Sequence, residues 1–401
     1  MIERPTFAAW LAGANDVTGR FLAMGADPAN VNLAGGLPDP ALFPAEAIAA
    51  AARRALEADP KTALSYAPVA GLDALREALA ARMRAMGATA VTAENVILTG
   101  GSAQALDLLG KALVDPGDVI AAQAPTYLGA LDAWRPRAPA YRPLDLPGGE
   151  AADPEALRGA KFVYTVPNFS NPTGALVGET ERARILAAAR AAGTWLVEDD
   201  PYGALFLDGP PLRTMLAMDA AEGPGPYDGP VVYLGSFSKD LVPGLRVGWA
   251  VAAPALRAAL TTAKQGADLS SSALTQAIAL GVLEDGIIPR HLPGLLAEYR
   301  KRRDALCAAA EAHLSEWFRW ERPSGGMFLW LEARDPAIDT DAVFARAAEA
   351  GVLVSPSRVF DPLGRDRTGL RLNFTLNDPE RLALGVERLA AATRDWLGGN
   401  G

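Results

Sequence analysis

A chain of 401 residues, half of them apolar, can bury a large core and is expected to divide into two or more domains. Its net charge of −9 argues against a nucleic-acid binder, whose footprint is a basic face, and no segment approaches the roughly 18 consecutive apolar residues of a membrane span. With one cysteine, Cys307, and two histidines, His291 and His313, an intrachain disulfide is excluded, and a histidine–cysteine metal site or a Ser-His-Asp hydrolase is disfavoured.

Glu3 and Arg4 precede any short apolar run, so no signal peptide is expected and the setting reads as cytoplasmic. Residues 1 to about 30 read as an arm or short helix. Arg20 is the one cation there that could reach a ligand, against the plainer reading of a surface arginine. Residues 31–44 hold Gly35, Gly36 and three prolines, a rigid loop that either turns a corner or admits a ligand to the backbone. An alanine-rich helix is predicted over 45–58. Tyr66 follows in a Pro/Gly loop, before a helix beginning near Leu72, and read alone is a packed aromatic.

Residues 95–113 read as strand, glycine turn and helix, with Gly100, Gly101 and Ser102 at the helix start. Exposed amides and the positive dipole end make such a start an anion site, although many such turns need glycine for geometry alone. The strand DVIAAQ ends just before Tyr127. KFVYT ends in VPNFSNPTG, which carries Asn168 and Asn171. TWLVE runs into Asp199, Asp200, Pro201 and Tyr202. Adjacent carboxylates usually mark a solvated turn, yet the strand before these is apolar and reads as central.

The apolar run from Val231 to Leu234 ends at Gly235, and Ser236 and Ser238 lead to Lys239; Arg246 lies seven residues on. A lysine at a buried strand end, beside small hydroxyls and an arginine, suits a covalently held, phosphate-bearing cofactor. A solvated surface lysine is the alternative. The sequence then turns helical from about 269 to 314, with a break expected near 286–293. Short strands in GGMFLWLEA and GVLVSPS precede GLRLNFT, where Arg371 sits among apolar residues. A buried arginine must be paired, either with a carboxylate ligand or in a structural salt bridge. Arg365 and Arg367 lie in a polar loop and read as solvated.

Strand, loop and helix alternate from about 95 to 255, which predicts an α/β fold with a mostly parallel central sheet sandwiched by helices, plus a smaller α+β domain. The expected division is 1–45 as arm and part of the small domain, 46–290 as the large domain, and 291–401 as the rest of the small one. Ligands of such sheets bind outside the carboxyl ends of the strands. Ser102, Tyr127, Asn171, Asp199, Tyr202, Ser236, Ser238 and Lys239 all fall at those ends, which makes one convergent site of them.

The ordered set YTVPNFSNPTG, VEDDPYG, GSFSK with GLRVGW, and GLRLNFT resembles the pyridoxal-phosphate aminotransferases of fold type I, class I/II, over about residues 33–374. The similarity is greatest to the broad-specificity branch that includes 2-aminoadipate and aromatic or branched-chain transaminases. The resemblance implies pyridoxal 5′-phosphate held as a Schiff base on Lys239, with Asp199 on the pyridine nitrogen, Tyr202 and Asn171 on the ring hydroxyl and Tyr127 stacked on the ring. It places the phosphate on Gly101, Ser102, the amide of Ala103, Ser236, Ser238 and Arg246. Tyr66 would reach the phosphate in a neighbouring subunit, which implies a homodimer with shared sites. Arg371 would clamp the substrate α-carboxylate, Gly36 would line the substrate pocket, and Arg20 is the remaining substrate-side candidate.

Asp240, Ala103 and Ala204 depart from the residues common in that family at their positions. The implied activity is ping-pong transfer of an amino group between an L-amino acid and a 2-oxo acid. A lyase using the same cofactor, or a non-catalytic effector-binding module, are the alternatives.

Overall fold

The computed structural model describes residues 6–13, 27–147 and 149–399. Its centre is a seven-stranded sheet of β2 (Val96–Thr99), β3 (Val119–Ala124), β4 (Ala140–Asp145), β5 (Ala160–Thr165), β6 (Trp195–Asp199), β7 (Val231–Ser236) and β8 (Gly248–Val251); β1 (Val31–Asn32) lies elsewhere. The spatial order is β2-β8-β7-β6-β5-β3-β4, with β4 through β7 parallel to their neighbours and β8 antiparallel to both β7 and β2. The one antiparallel strand is the only departure from the expected parallel sheet.

Burial on both faces explains why β5, β6 and β7 read as near-continuous apolar runs rather than alternating ones. Alternate residues feed two cores. Leu196, Val231 and Tyr233 pack on one side, while Val197, Val232 and Leu234 pack on the other. This two-residue period later decides which of three consecutive acids faces the site.

β9 (Phe318–Arg319), β10 (Phe328–Ala333), β12 (Ser355–Pro356) and β13 (Gly369–Asn373) form a second, antiparallel sheet in the order β12-β13-β10-β9. β1 pairs in parallel with β11 (Val352–Leu353), and Asn373 N donates to Leu33 O at 2.7 Å. These bonds tie the Gly35–Gly36 loop to the end of β13, beside the large sheet.

The predicted helix 45–58 is present as Ala45–Ala58, and Leu72 caps Asp73–Ala85. The expected break over 286–293 narrows to Gly286, in the left-handed region at φ 61°, between Ala273–Glu284 and Ile287–Leu314. Pro293 lies inside that second, 28-residue helix, because packing along the helix Pro379–Gly399 outweighs the one lost backbone bond. Among the described residues no helix is long and apolar enough to cross a membrane.

Candidate active site

Lys239 lies in the turn that leaves the fully buried β7, and its Nζ donates to Gly36 O at 2.7 Å. Burial, reinforced by the charges of Arg371 and Arg246, lowers its pKa to about 8. Among the described residues the only acceptor given to this amine is a backbone carbonyl. Lys264 is the contrast. It is fully buried but paired with Asp268 at 2.7 and 2.9 Å, and Asp268 also accepts from Gln104 Nε2 at 2.7 Å.

β6 ends in Glu198 and Asp199, and Asp200 follows directly; all three are buried. Glu198 accepts the backbone amides of Met215 and Leu216 at 2.7 and 2.9 Å, and so caps the short helix Met215–Asp219. Asp200, 5% exposed, accepts from Asn168 Nδ2 at 2.8 Å and from the Tyr233 hydroxyl at 3.0 Å. Asp199, 2% exposed, points to the opposite face, where its Oδ2 accepts from the Tyr164 hydroxyl at 2.7 Å. Its Oδ1 is buried and has no partner among the described residues. Burial pushes its pKa up to about 7; the Tyr164 hydrogen bond acts against that shift and the charge of Asp200 adds to it. An oxygen so placed favours a cationic partner.

The helix Ser102–Leu113 starts at Gly101, φ 97°, without a side-chain cap, so its first amides are free to meet an anion. Arg246 reaches across this start, with Nη2 donating to Gly100 O at 2.8 Å. A Cβ on Gly101 would stand 2.6 Å from Arg246 Nη2, and one on Gly248 would stand 2.7 Å from Gly101 C. Glycine is therefore required on both sides of this close approach. Ser236 and Ser238 share a hydroxyl–hydroxyl bond at 2.8 Å, and Ser238 N donates to Ser236 Oγ at 3.1 Å.

Arg371 on β13 is 3% exposed. Its Nη1 donates to Asn171 Oδ1 at 2.5 Å, its Nη2 donates to Ala34 O and to Ser355 Oγ at 3.2 Å, and its Nε has no partner among the described residues. The guanidinium lies 4.4 Å from the ring centroid of Phe328 and 4.7 Å from that of Phe360. Burial lowers its pKa to about 10. Among the described residues no carboxylate pairs with it, so the structural salt bridge that sequence left open does not form.

Gly36, Ser102, Tyr127, Asn171, Asp199, Tyr202, Lys239 and Arg371 line one cavity of about 260 Å³, together with Leu37, Leu128 and Val166. Tyr202 stands edge-on to Phe328 at 5.9 Å, and burial raises the proton affinity of both Tyr202 and Tyr127. Ser236 lines a second cavity instead, on the other side of the sheet end. Tyr66 corrects the sequence reading: it is 86% exposed rather than packed. Its loop runs out to the surface and leaves the ring bare. Arg20 lies outside the described residues.

Tyr164, Phe328 and Phe360 were not singled out from sequence. Tyr164 had a usable signal, because it shares the two-residue phase of Val197 and Asp199 once β5 and β6 are aligned as neighbours.

Residues 30–389 match the family described as aminotransferase class I and II. The chain is 36% identical to aromatic-amino-acid aminotransferase 1 of Thermococcus litoralis over 92% of its length and 88% of that protein. The multiple substrate aminotransferase of Thermococcus profundus superposes with a TM-score of 0.89, at 33% identity and 98% coverage of both chains. The alpha-aminoadipate aminotransferase of Thermus thermophilus, solved with N-(5′-phosphopyridoxyl)-L-leucine, superposes at 0.84 with 36% identity, covering 98% of this chain and 100% of that one. A mostly parallel sheet flanked by helices, with a lysine and an unpartnered acid at its carboxyl edge, thus coincides with agreement along nearly the whole sequence. The chain belongs to the class I and II aminotransferases, enzymes of fold type I.

Proposed function

We propose that this enzyme moves an α-amino group between an L-amino acid and a 2-oxo acid with pyridoxal 5′-phosphate bound through Lys239. The observation that carries this reading is the unpartnered Oδ1 of Asp199, buried in the same cavity as a lysine of lowered proton affinity. A pyridine nitrogen carrying a proton satisfies that oxygen. A phosphate satisfies the uncapped helix start beside Arg246. A solved relative carrying a phosphopyridoxyl amino acid supports the same choice of cofactor.

When bound, the cofactor supplies an electron sink for the charge left as the substrate Cα–H bond breaks. Asp199 holds the ring nitrogen protonated. Tyr202 and Asn171 serve the ring hydroxyl, and Tyr127 covers the ring. Gly101, Ser102, the amide of Ala103, Ser236, Ser238 and Arg246 hold the phosphate. Arg371 binds the substrate α-carboxylate with donors now spent on Ala34 O and Ser355 Oγ, and so fixes which Cα bond faces Lys239. Lys239 Nζ takes the Cα proton, a role typically worth ~10²–10⁴-fold. Gly36 closes the substrate side, and Arg20 is assigned there as well.

Tyr66, exposed on its own chain, is assigned to the phosphate of a second copy, which makes the working unit a homodimer. The division into 1–45, 46–290 and 291–401 and a cytoplasmic setting belong to the same proposal. The test is a panel of L-amino acids with and without 2-oxoglutarate. Product 2-oxo acid formed over many turnovers only when the acceptor is present, with at most one equivalent per site without it, supports a transaminase. Sustained product without acceptor identifies a lyase instead.

A further inference from the structure

Behind the sheet, on the face away from the cavity of Lys239, lies a second cavity of about 240 Å³. Arg82, Asp200, Tyr233, Asp240 and Trp249 line it. Two of these are the immediate chain successors of the two central residues of the site: Asp200 follows Asp199, and Asp240 follows Lys239. Each pair diverges. Asp199 faces the site while Asp200 turns back to Asn168 and Tyr233. Lys239 reaches Gly36 O while Asp240 turns back to Arg82, whose Nη2 donates to Asp240 Oδ2 at 2.9 Å.

Arg82 comes from the helix Asp73–Ala85, and its guanidinium lies 5.8 Å from the ring centroids of both Phe237 and Trp249. The Asp240 side chain is 5% exposed and that of Arg82 27%. Asp240 Oδ1 and Trp249 Nε1 are buried without partners among the described residues. A surface ion pair would be worth little. This one is enclosed, so its charges are poorly screened and act on neighbours over several ångströms.

We propose that Arg82 is a positioning residue that balances Asp240 and Asp200 together, and through them sets the proton affinity of the cofactor-linked Lys239 nitrogen and of Asp199. This rests on the cofactor reading given above. Burial works against the Arg82 proton, and the charge of Asp240, with Asp200 in support, more than offsets it. Among the described residues the other titratable or charged groups facing this network are Arg182, which acts on Asp200 and donates to Asn168 Oδ1 at 2.5 Å, Glu198, whose proton affinity burial and the charge of Asp200 raise, and His291, whose proton affinity burial lowers beside Asp240. On the cavity side Lys239 faces Arg371 and Arg246. Removing the Arg82 charge leaves two carboxylates under-compensated, which favours protons on Lys239 and Asp199. Removing the Asp240 charge leaves Arg82 unbalanced and acts the opposite way.

The test is a spectroscopic pH titration of the pyridoxal-phosphate-loaded enzyme, following the visible band that reports the protonation of the Lys239 nitrogen. Arg82→Gln should raise that pKa and Asp240→Asn lower it, each by about half to one pH unit, the size expected for one charge acting across a partly screened interior. The double variant should return near the parent value, and Arg82→Lys should stay there. A purely structural role would move both single variants the same way or not at all, and either result overturns the proposal. If Arg82→Gln fails to fold, Asp240→Asn and Arg82→Lys decide alone: an unmoved pKa in the first, or a shifted one in the second, overturns it. A parent enzyme that forms no visible band overturns the cofactor reading and this proposal with it, whereas a band with an unmoved pKa overturns this proposal alone.

Discussion

The Tyr164 hydroxyl donates to Asp199 Oδ2 at 2.7 Å from the adjacent parallel strand, and so leaves Oδ1 as the single free oxygen of a buried carboxylate. The bond stabilises the ionised acid and aims the remaining lone pairs at the cavity. Tyr164→Phe removes the hydroxyl and keeps the ring, which is fully buried and stands edge-on to Trp134 at 5.0 Å. It should raise the pKa of Asp199 and cut kcat/KM roughly 10–100-fold, the worth of a hydrogen bond to a charged group. Steady-state kinetics at two pH values check this. A larger loss near pH 7 than at pH 9 is the expected pattern.

Asp199 and Asp200 should separate function from stability. Asp199→Asn removes a buried charge whose pKa is raised from 3.8 to about 7. A raised acid binds its proton more tightly in the folded state, so its cost appears above pH 3.8 and is complete above about 7. The Asn variant without cofactor should therefore melt a few degrees above the parent at pH 8 and level with it near pH 4, while losing turnover. Asp200→Asn breaks a network with Asn168, Tyr233 and Arg82 and should lower the melting temperature at pH 8. Thermal melts of both apoproteins decide between these assignments.

Arg371 is held by neutral acceptors and two aromatic faces, and among the described residues no acid neutralises it. Arg371→Lys keeps a charge but loses the planar fork that grips a carboxylate. Turnover of amino acids should fall on the order of 10²–10³-fold, as for a buried charge pair that loses one partner. Binding of the cofactor itself should barely change, which absorbance titration with pyridoxal phosphate will show.

The pKa of Lys239, lowered to about 8, gives the apoprotein a pH-dependent appetite for cofactor. Only the neutral amine is a nucleophile. The uptake rate should climb about tenfold per pH unit below pH 8 and level off above it. Stopped-flow absorbance between pH 6 and 9 measures this. A rate that falls across that range would place the reactive nitrogen elsewhere.

Much of this site could be read from the chain because buried parallel strands print themselves as apolar runs, and the polar residues that follow each run mark a sheet edge. Asp199, Lys239 and Ser102 were found that way. Tyr164 was hidden inside such a run, and its partner is 35 residues away on a strand whose neighbour is fixed only by the fold. Arg82 carries no signal of its own in the sequence, because its partner Asp240 lies 158 residues further on. Tyr66 could not be placed from local pattern, since nothing in a Pro/Gly loop tells a packed ring from one left bare.

Everything proposed for the chemistry passes through one nitrogen. Reduction of the cofactor-loaded enzyme with borohydride, followed by peptide mapping, fixes the attachment point covalently. A pyridoxyl adduct on Lys239 is the predicted result. An adduct on Lys264, whose amine is occupied by Asp268, or no adduct at all, contradicts the account.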